Sequence, residues 1–229
     1  METRKKQIDV NGLTLQYHES GEPTAPPLIA LHALGMSGES WDNVAAVLGE
    51  DYHIYAIDQR GHGGSARTNA YTFELMCKDL LDFANALNLE RFTLIGHSMG
   101  GTVSYLFAEA YPSRVERLIV VDTPPPFTGE QLEVPPKPSE PVPFDWLVIQ
   151  SIIQQLNNPN PKWWEQLPDI SVPTLIIGGQ SSHVPQNKLQ EASELIPNCK
   201  LVTIEDAGHF VHDDNLPAFL TAVKDFLQE

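Results

Sequence analysis

Short apolar runs recur along the chain, separated by stretches whose apolar residues are spaced at three and four. Leu28-Ile29-Ala30-Leu31, His53-Ile54-Tyr55-Ala56-Ile57, Phe92-Thr93-Leu94-Ile95, Val115 to Val121 and Val172 to Ile177 are nearly without polar interruption. Such runs predict parallel strands covered on both faces. Lys200 to Ile204 reads as a further strand. The start differs: residues 7–20 alternate, and Asn11-Gly12 between Ile8-Asp9-Val10 and Thr14-Leu15-Gln16-Tyr17-His18 predicts a tight hairpin. Helical spacing runs through Trp41, Val44, Ala45 and Leu48, from a Thr72 cap to about Leu87, from Met99 to Tyr111, from Asn187 to Ile196 and from Asn215 to Leu227. Strands alternating with helices predict an α/β fold: a mostly parallel sheet flanked by helices, with an antiparallel start.

The alternation stops between residues 123 and 168. Eight of the nineteen prolines fall between Pro124 and Pro143, which excludes a central strand or a helix interior and predicts a stiffened loop. Asp145 can start a helix with the apolar stripe Ile149, Ile152, Ile153 and Leu156, and Asn160-Pro161 can open a shorter one carrying Trp163 and Trp164. The expected organisation is a core of residues 1–122 and 169–229 with a small lid, residues 123–168, inserted in it. There is no internal repeat and no second domain boundary.

Ligands in parallel sheets bind beyond the carboxyl ends of the strands. His32, Asp58, Ser98 and Asp122 all fall at such ends. Ser98 stands in Gly96-His97-Ser98-Met99-Gly100, between a strand and a helix, the context of a G-x-S-x-G nucleophile elbow. The glycines permit a turn too tight for side chains, and the helix start behind the serine favours a developing anion. A serine that merely caps its helix is the alternative. Serine needs a base. Of eight histidines, His209 in Glu205-Asp206-Ala207-Gly208-His209-Phe210 is best placed, with His212 the nearby rival. His32, and Trp146 in the lid, are candidate substrate-contacting side chains. Three of the four tryptophans (Trp146, Trp163, Trp164) lie in the lid, either as packing or as an apolar wall.

Composition narrows the partners. The chain has 229 residues, 41% hydrophobic and 19% charged, enough for a full core. A net charge of −16 argues against nucleic acid and disfavours anionic membrane surfaces. The basic start, Met1-Glu2-Thr3-Arg4-Lys5-Lys6, leads into Gln7-Ile8-Asp9-Val10, without the apolar stretch of a signal peptide, and no run is long enough to span a membrane. Cys77 and Cys199 form no disulfide framework, which points to reduced thiols and a cytoplasmic setting. His209, His212, Asp213 and Asp214 fit no zinc spacing, and Asp58 to Ser65 lacks a phosphate-loop signature, so no metal or cofactor is expected. The expected partner is a small-molecule substrate.

Leu31-His32-Ala33-Leu34-Gly35, Asp58-Gln59-Arg60-Gly61-His62-Gly63-Gly64-Ser65, Gly96-His97-Ser98-Met99-Gly100 and Ala207-Gly208-His209 stand in the order and spacing of the α/β-hydrolase fold family, which the chain resembles over nearly its whole length. The resemblance implies an eight-stranded sheet, a cap after strand six, and cofactor-free hydrolysis of carboxylic esters or a related reaction. It also implies an oxyanion hole from the backbone N–H groups of Met99 and Leu34. Ala33 stands where the family more often has glycine.

The acid departs from the commoner pattern. Many members place an aspartate after strand seven, but Gly178-Gly179-Gln180-Ser181-Ser182-His183-Val184-Pro185 has no carboxylate. Some members carry it after strand six, where Asp122 stands. The expected triad is therefore Ser98, His209 and Asp122, with Asp206 too close to His209 along one tight loop. The leading reading is a serine hydrolase of small uncharged esters, thioesters or lactones. The alternatives are a lyase or C–C bond hydrolase with the same triad, or a small-ligand receptor with slow turnover. A serine at the elbow disfavours the carboxylate-dependent members of the fold.

Overall fold

The computed structural model describes residues 3–229, so Met1 and Glu2 of the basic start lie outside the described residues. One eight-stranded sheet has the order β1-β2-β4-β3-β5-β6-β7-β8. β1 (Arg4–Val10) and β2 (Leu13–Ser20) form the hairpin, with Val10 opposite Leu13. Asn11 and Gly12 both take positive φ, 51° and 81°, which a two-residue turn matched to the strand twist requires. β1 begins three residues before the alternating stretch. Arg4, Lys5 and Lys6 are exposed on this edge strand, and Lys5 and Lys6 pair with Glu39 and Glu19. Charges on an edge strand resist pairing with another chain.

β2 runs antiparallel to β4 (His53–Ile57), and from there β3 (Pro27–Leu31), β5 (Phe92–His97), β6 (Val115–Val121), β7 (Thr174–Gly179) and β8 (Cys199–Ile204) are parallel. The period of two sorts β3 between the faces. Leu28 and Ala30 join a core with α1 (Asp42–Leu48) and the last helix, while Ile29 and Leu31 face the opposite layer of helices. That layer includes α2 (Phe73–Ala86), capped by Thr72 Oγ1 accepting from the Leu75 N–H at 3.1 Å, and α3 (Met99–Ala110). Burial of each large aliphatic side chain contributes roughly 1.5–3 kcal/mol, which makes these two apolar layers the main stabilising term. β7 ends two residues later than the apolar run suggests. Gly178 and Gly179 continue the ladder opposite Thr203 and Ile204, so pairing rather than side-chain character extends it.

Between β6 and β7 the chain leaves the sheet. An irregular strap, residues 122–145, leads to α4 (Trp146–Asn157), capped by Asp145, then to the short α5 (Lys162–Glu165). α6 (Gln186–Leu195) joins β7 to β8, and α7 (Val211–Asp214) and α8 (Leu216–Leu227) close the chain. Trp41 belongs to a 3₁₀ turn before α1 rather than to the helix itself. Among the described residues, no helix is long and apolar enough to cross a membrane.

Candidate active site

The β5–α3 junction is built by close approach. Ser98 takes φ 52° and ψ −114°, a strained conformation for a residue with a side chain. A Cβ on Gly96 would fall 2.3 Å from the Gly100 carbonyl oxygen, and one on Gly100 would fall 2.4 Å from that of Leu31. Only glycine at both positions lets β5, α3 and β3 meet, and the result exposes the Ser98 side chain at the end of the sheet.

A cavity of about 560 Å³ opens above this turn. Ser98, Met99, Leu34, His183 and His209 line it together with apolar side chains of the strap and α4. The His209 Nδ1–H donates to Asp122 Oδ2 at 2.7 Å. Asp122 is fully buried at the end of β6, at φ 49°. Its Oδ1 accepts from the Gly179 N–H at 2.9 Å, and its Oδ2 also accepts from the Ser182 hydroxyl. The loop after β7, which carries no carboxylate, thus holds the β6 carboxylate in place. Ser182, in that carboxylate-free loop, donates its hydroxyl to the acid. No sequence signal marks that role, because it depends on β6 and β7 lying side by side.

His209 is fixed from behind. Its carbonyl accepts from the buried His97 Nε2–H at 2.8 Å, and the Gly208 N–H donates to Asp214 Oδ2 at 2.8 Å. His212, the rival base, is buried and stacked on Trp41 at 4.6 Å between ring centroids, away from the cavity lining. Ser98 and His209 share the cavity wall, and among the described residues no hydrogen bond joins them. Such contacts commonly tighten only when substrate is bound.

His32 requires a correction. Its position at the end of β3 suggested a substrate contact, yet its ring is fully buried and does not line the cavity. The Nδ1–H donates to the Ala33 carbonyl at 2.7 Å, and Nε2 accepts from the Gln59 N–H at 2.9 Å. Both nitrogens are used, and burial lowers its pKa to about 4, so it stays neutral. His62 acts in parallel, its Nε2 accepting from the Gly35 N–H at 3.2 Å. These two rings tie residues 33–35 to the Asp58–Ser65 loop and so position Leu34. The Leu34 N–H has no backbone acceptor, and Met99, first in α3, has no partner for its N–H within the helix.

Trp146 is the second correction: it stacks on Phe144, at 6.1 Å and 26°, and does not line the cavity. Trp163 is buried against Phe73, and the Trp164 Nε1–H donates to the Pro126 carbonyl at 3.0 Å. The lid tryptophans pack and brace; the apolar wall is made instead by Pro124, Pro125, Pro126, Phe127, Ile152 and Leu156. Of the two readings the tryptophans allow, packing is the one found, and prolines of the strap share the cavity with Ser98. His183, also unassigned from sequence, lines the cavity with its ring centroid 4.7 Å from that of His209.

A doubly flanked parallel sheet, a strained serine at a strand–helix elbow and a histidine held by a buried carboxylate define an α/β enzyme class. The family described as alpha/beta hydrolase fold matches residues 26–141, and the chain belongs to it. It is similar to the sn-1-specific diacylglycerol lipase ABHD11 of Mus musculus, with 27% identity over 97% of this chain and 88% of that protein. It is also similar to the esterase YbfF of Escherichia coli, with 24% identity over 89% of this chain and 93% of that one. Among solved structures, the enol-lactonase from Burkholderia xenovorans LB400 has the same fold, with a TM-score of 0.85 and 22% identity over 98% of this chain and 100% of that chain.

Proposed function

We propose that the protein is a serine hydrolase of small uncharged carboxylic esters, thioesters or lactones. The observation that carries this reading is the Asp122–His209 contact in the wall of the cavity that Ser98 enters. In this reading His209 takes the proton of the Ser98 hydroxyl as its oxygen attacks the carbonyl carbon. The Met99 and Leu34 N–H groups receive the oxyanion, and Asp122 balances the imidazolium. His209 then gives the proton to the leaving oxygen or sulfur. Water, deprotonated by His209, cleaves the acyl-enzyme and restores Ser98. Every step is a proton or acyl transfer that these side chains can carry without a cofactor.

Relatives named esterase and diacylglycerol lipase support ester-bond hydrolysis. A neutral substrate is supported by the lining, whose described residues include the Glu130 carboxylate and no lysine or arginine to pair with an anion. The free thiols of Cys77 and Cys199 support a reducing, cytoplasmic setting. Turnover of p-nitrophenyl esters that disappears in a folded Ser98→Ala variant is the expected result. Equal turnover by the variant would refute the assignment.

A further inference from the structure

We propose that Asn157 is a positioning residue that clamps the proline strap over the cavity and so sets how far an acyl tail is gripped. This rests on the ester-hydrolase reading for the reaction, but the clamp itself is a matter of binding.

The strap is held at few points. Near its start the Pro126 carbonyl accepts from Trp164, and at its end the Pro143 carbonyl accepts from the Gly63 N–H at 3.0 Å. In between, Gln131 Nε2–H donates to the Asn157 carbonyl at 3.4 Å, and the Asn157 side chain closes two hydrogen bonds on one residue. Asn157 Oδ1 accepts from the Leu132 N–H at 2.8 Å, and its Nδ2–H donates to the Leu132 carbonyl at 2.9 Å. The amide thus imitates a paired strand where prolines prevent a real one. Residues 133–142 make no hydrogen bond with other described residues, so this clamp fixes the middle of the strap.

What it holds is informative. Leu132 lines the cavity and is nevertheless 51% exposed. An apolar side chain kept at a cavity rim in water gains when something apolar covers it. Asn157 ends α4, directly after Leu156, and Ile152 and Leu156 of the same helix line the cavity below Leu132. The clamp therefore ties the two sides of one apolar channel together. The leaving group must lie beside His209 to receive its proton, and the neighbour of that ring is the exposed His183. The buried apolar lining, with Ile152 and Phe73, is left for the acyl tail.

The test compares the wild type with Asn157→Ala, Asn157→Asp and Leu132→Ala. Asp keeps the acceptor for the Leu132 N–H and loses the donor. With p-nitrophenyl acetate, kcat and KM of the two Asn157 variants should stay within about twofold, because the short acyl group does not reach Leu132. With p-nitrophenyl octanoate, KM should rise about tenfold in Asn157→Ala and Leu132→Ala with kcat little changed. That is the effect of leaving about two methylenes uncovered. Asn157→Asp should lose at least as much as Asn157→Ala, because its second carboxylate oxygen meets the Leu132 carbonyl, acceptor against acceptor, where the amide donated. In a series of alkyl acetates the two Asn157 variants should match the wild type. A parallel titration of octanamide into Ser98→Ala and Ser98→Ala/Asn157→Ala should show about a tenfold weaker Kd in the double variant. This arm stands even if the hydrolase reading fails. An unchanged octanamide Kd would overturn the clamp. Equal losses on acetate and octanoate would reduce it to general structural support, and losses confined to the alkyl acetates would overturn the acyl assignment.

Discussion

Replacing Asp122 with Asn tests the triad where the sequence departs from its commoner form. The substitution is nearly isosteric, and asparagine accepts the positive φ of 49° at this position, so the backbone has no reason to move. Asn Oδ1 can still accept from the Gly179 N–H, now 2.9 Å from the aspartate oxygen. The new NH₂ group then faces Ser182 and His209. The serine hydroxyl can rotate to accept. The His209 Nδ1–H cannot, because at 2.7 Å it would be donor against donor. The ring must move its proton to Nε2 so that Nδ1 accepts, and an Nε2–H cannot take the Ser98 proton. The imidazolium also loses its buried counter-charge. Tautomer and charge together are expected to lower kcat by about 10⁴, or about 5.5 kcal/mol in the barrier. Steady-state turnover of an activated aryl ester, with circular dichroism as a check on folding, reads this directly. Retention of more than about a tenth of wild-type kcat by folded Asp122→Asn would show that another group serves His209.

Three further outcomes follow from the same geometry. Ser182→Ala removes one of the donors to Asp122 while leaving His209 its partner. Denaturant unfolding should show a loss of about 2 kcal/mol, with kcat no lower than about a tenth of wild type; a loss matching Asp122→Asn would make Ser182 part of the relay itself. Gly100→Ala drives a Cβ to 2.4 Å from the Leu31 carbonyl, displacing the start of α3 and the Met99 N–H, so kcat should fall about 10²-fold with KM less affected; unchanged turnover would contradict the oxyanion role. Glu109, half-buried with Oε1 unpartnered, has its pKa raised to about 8 by burial, with Asp169 adding to it. A raised folded pKa means the unfolded chain releases this proton first, so stability is lost as pH rises from about 4.5 to about 8, by up to about 3 kcal/mol at pH 7. Glu109→Gln should remove that slope from unfolding curves at pH 5 and 7.5, and parallel slopes would refute the assignment.

The fold was legible because its signals are local. Asn11-Gly12 dictates the hairpin, the unbroken apolar runs dictate doubly covered strands, and Thr72, Asp145 and Asn215 accept hydrogen bonds from the first turns of their helices. The serine elbow was legible for the same reason, since its glycines and its serine are neighbours in sequence. What escaped is what depends on distance in the chain. The Ser182–Asp122 contact joins residues 60 apart, and the Asn157–Leu132 clamp joins residues 25 apart. Polar side chains in loops carry no periodicity that would reveal such pairings. His32 misled because the strand end gives position and not direction: its ring turns into the interior, where two backbone groups claim both nitrogens. Trp146 misled because size suggested a wall where the prolines supply it.

The central claim is that Ser98 is a nucleophile activated by His209, whose ring is held by the Asp122 carboxylate at the end of β6. The most direct measurement is labelling with a fluorophosphonate, read by intact mass and peptide mapping, for wild type, Ser98→Ala and His209→Ala. The expected result is one adduct per chain on Ser98, absent in Ser98→Ala and slowed by orders of magnitude in His209→Ala. Wild-type protein that stays unlabelled while folded, or an adduct on any residue other than Ser98, would contradict it.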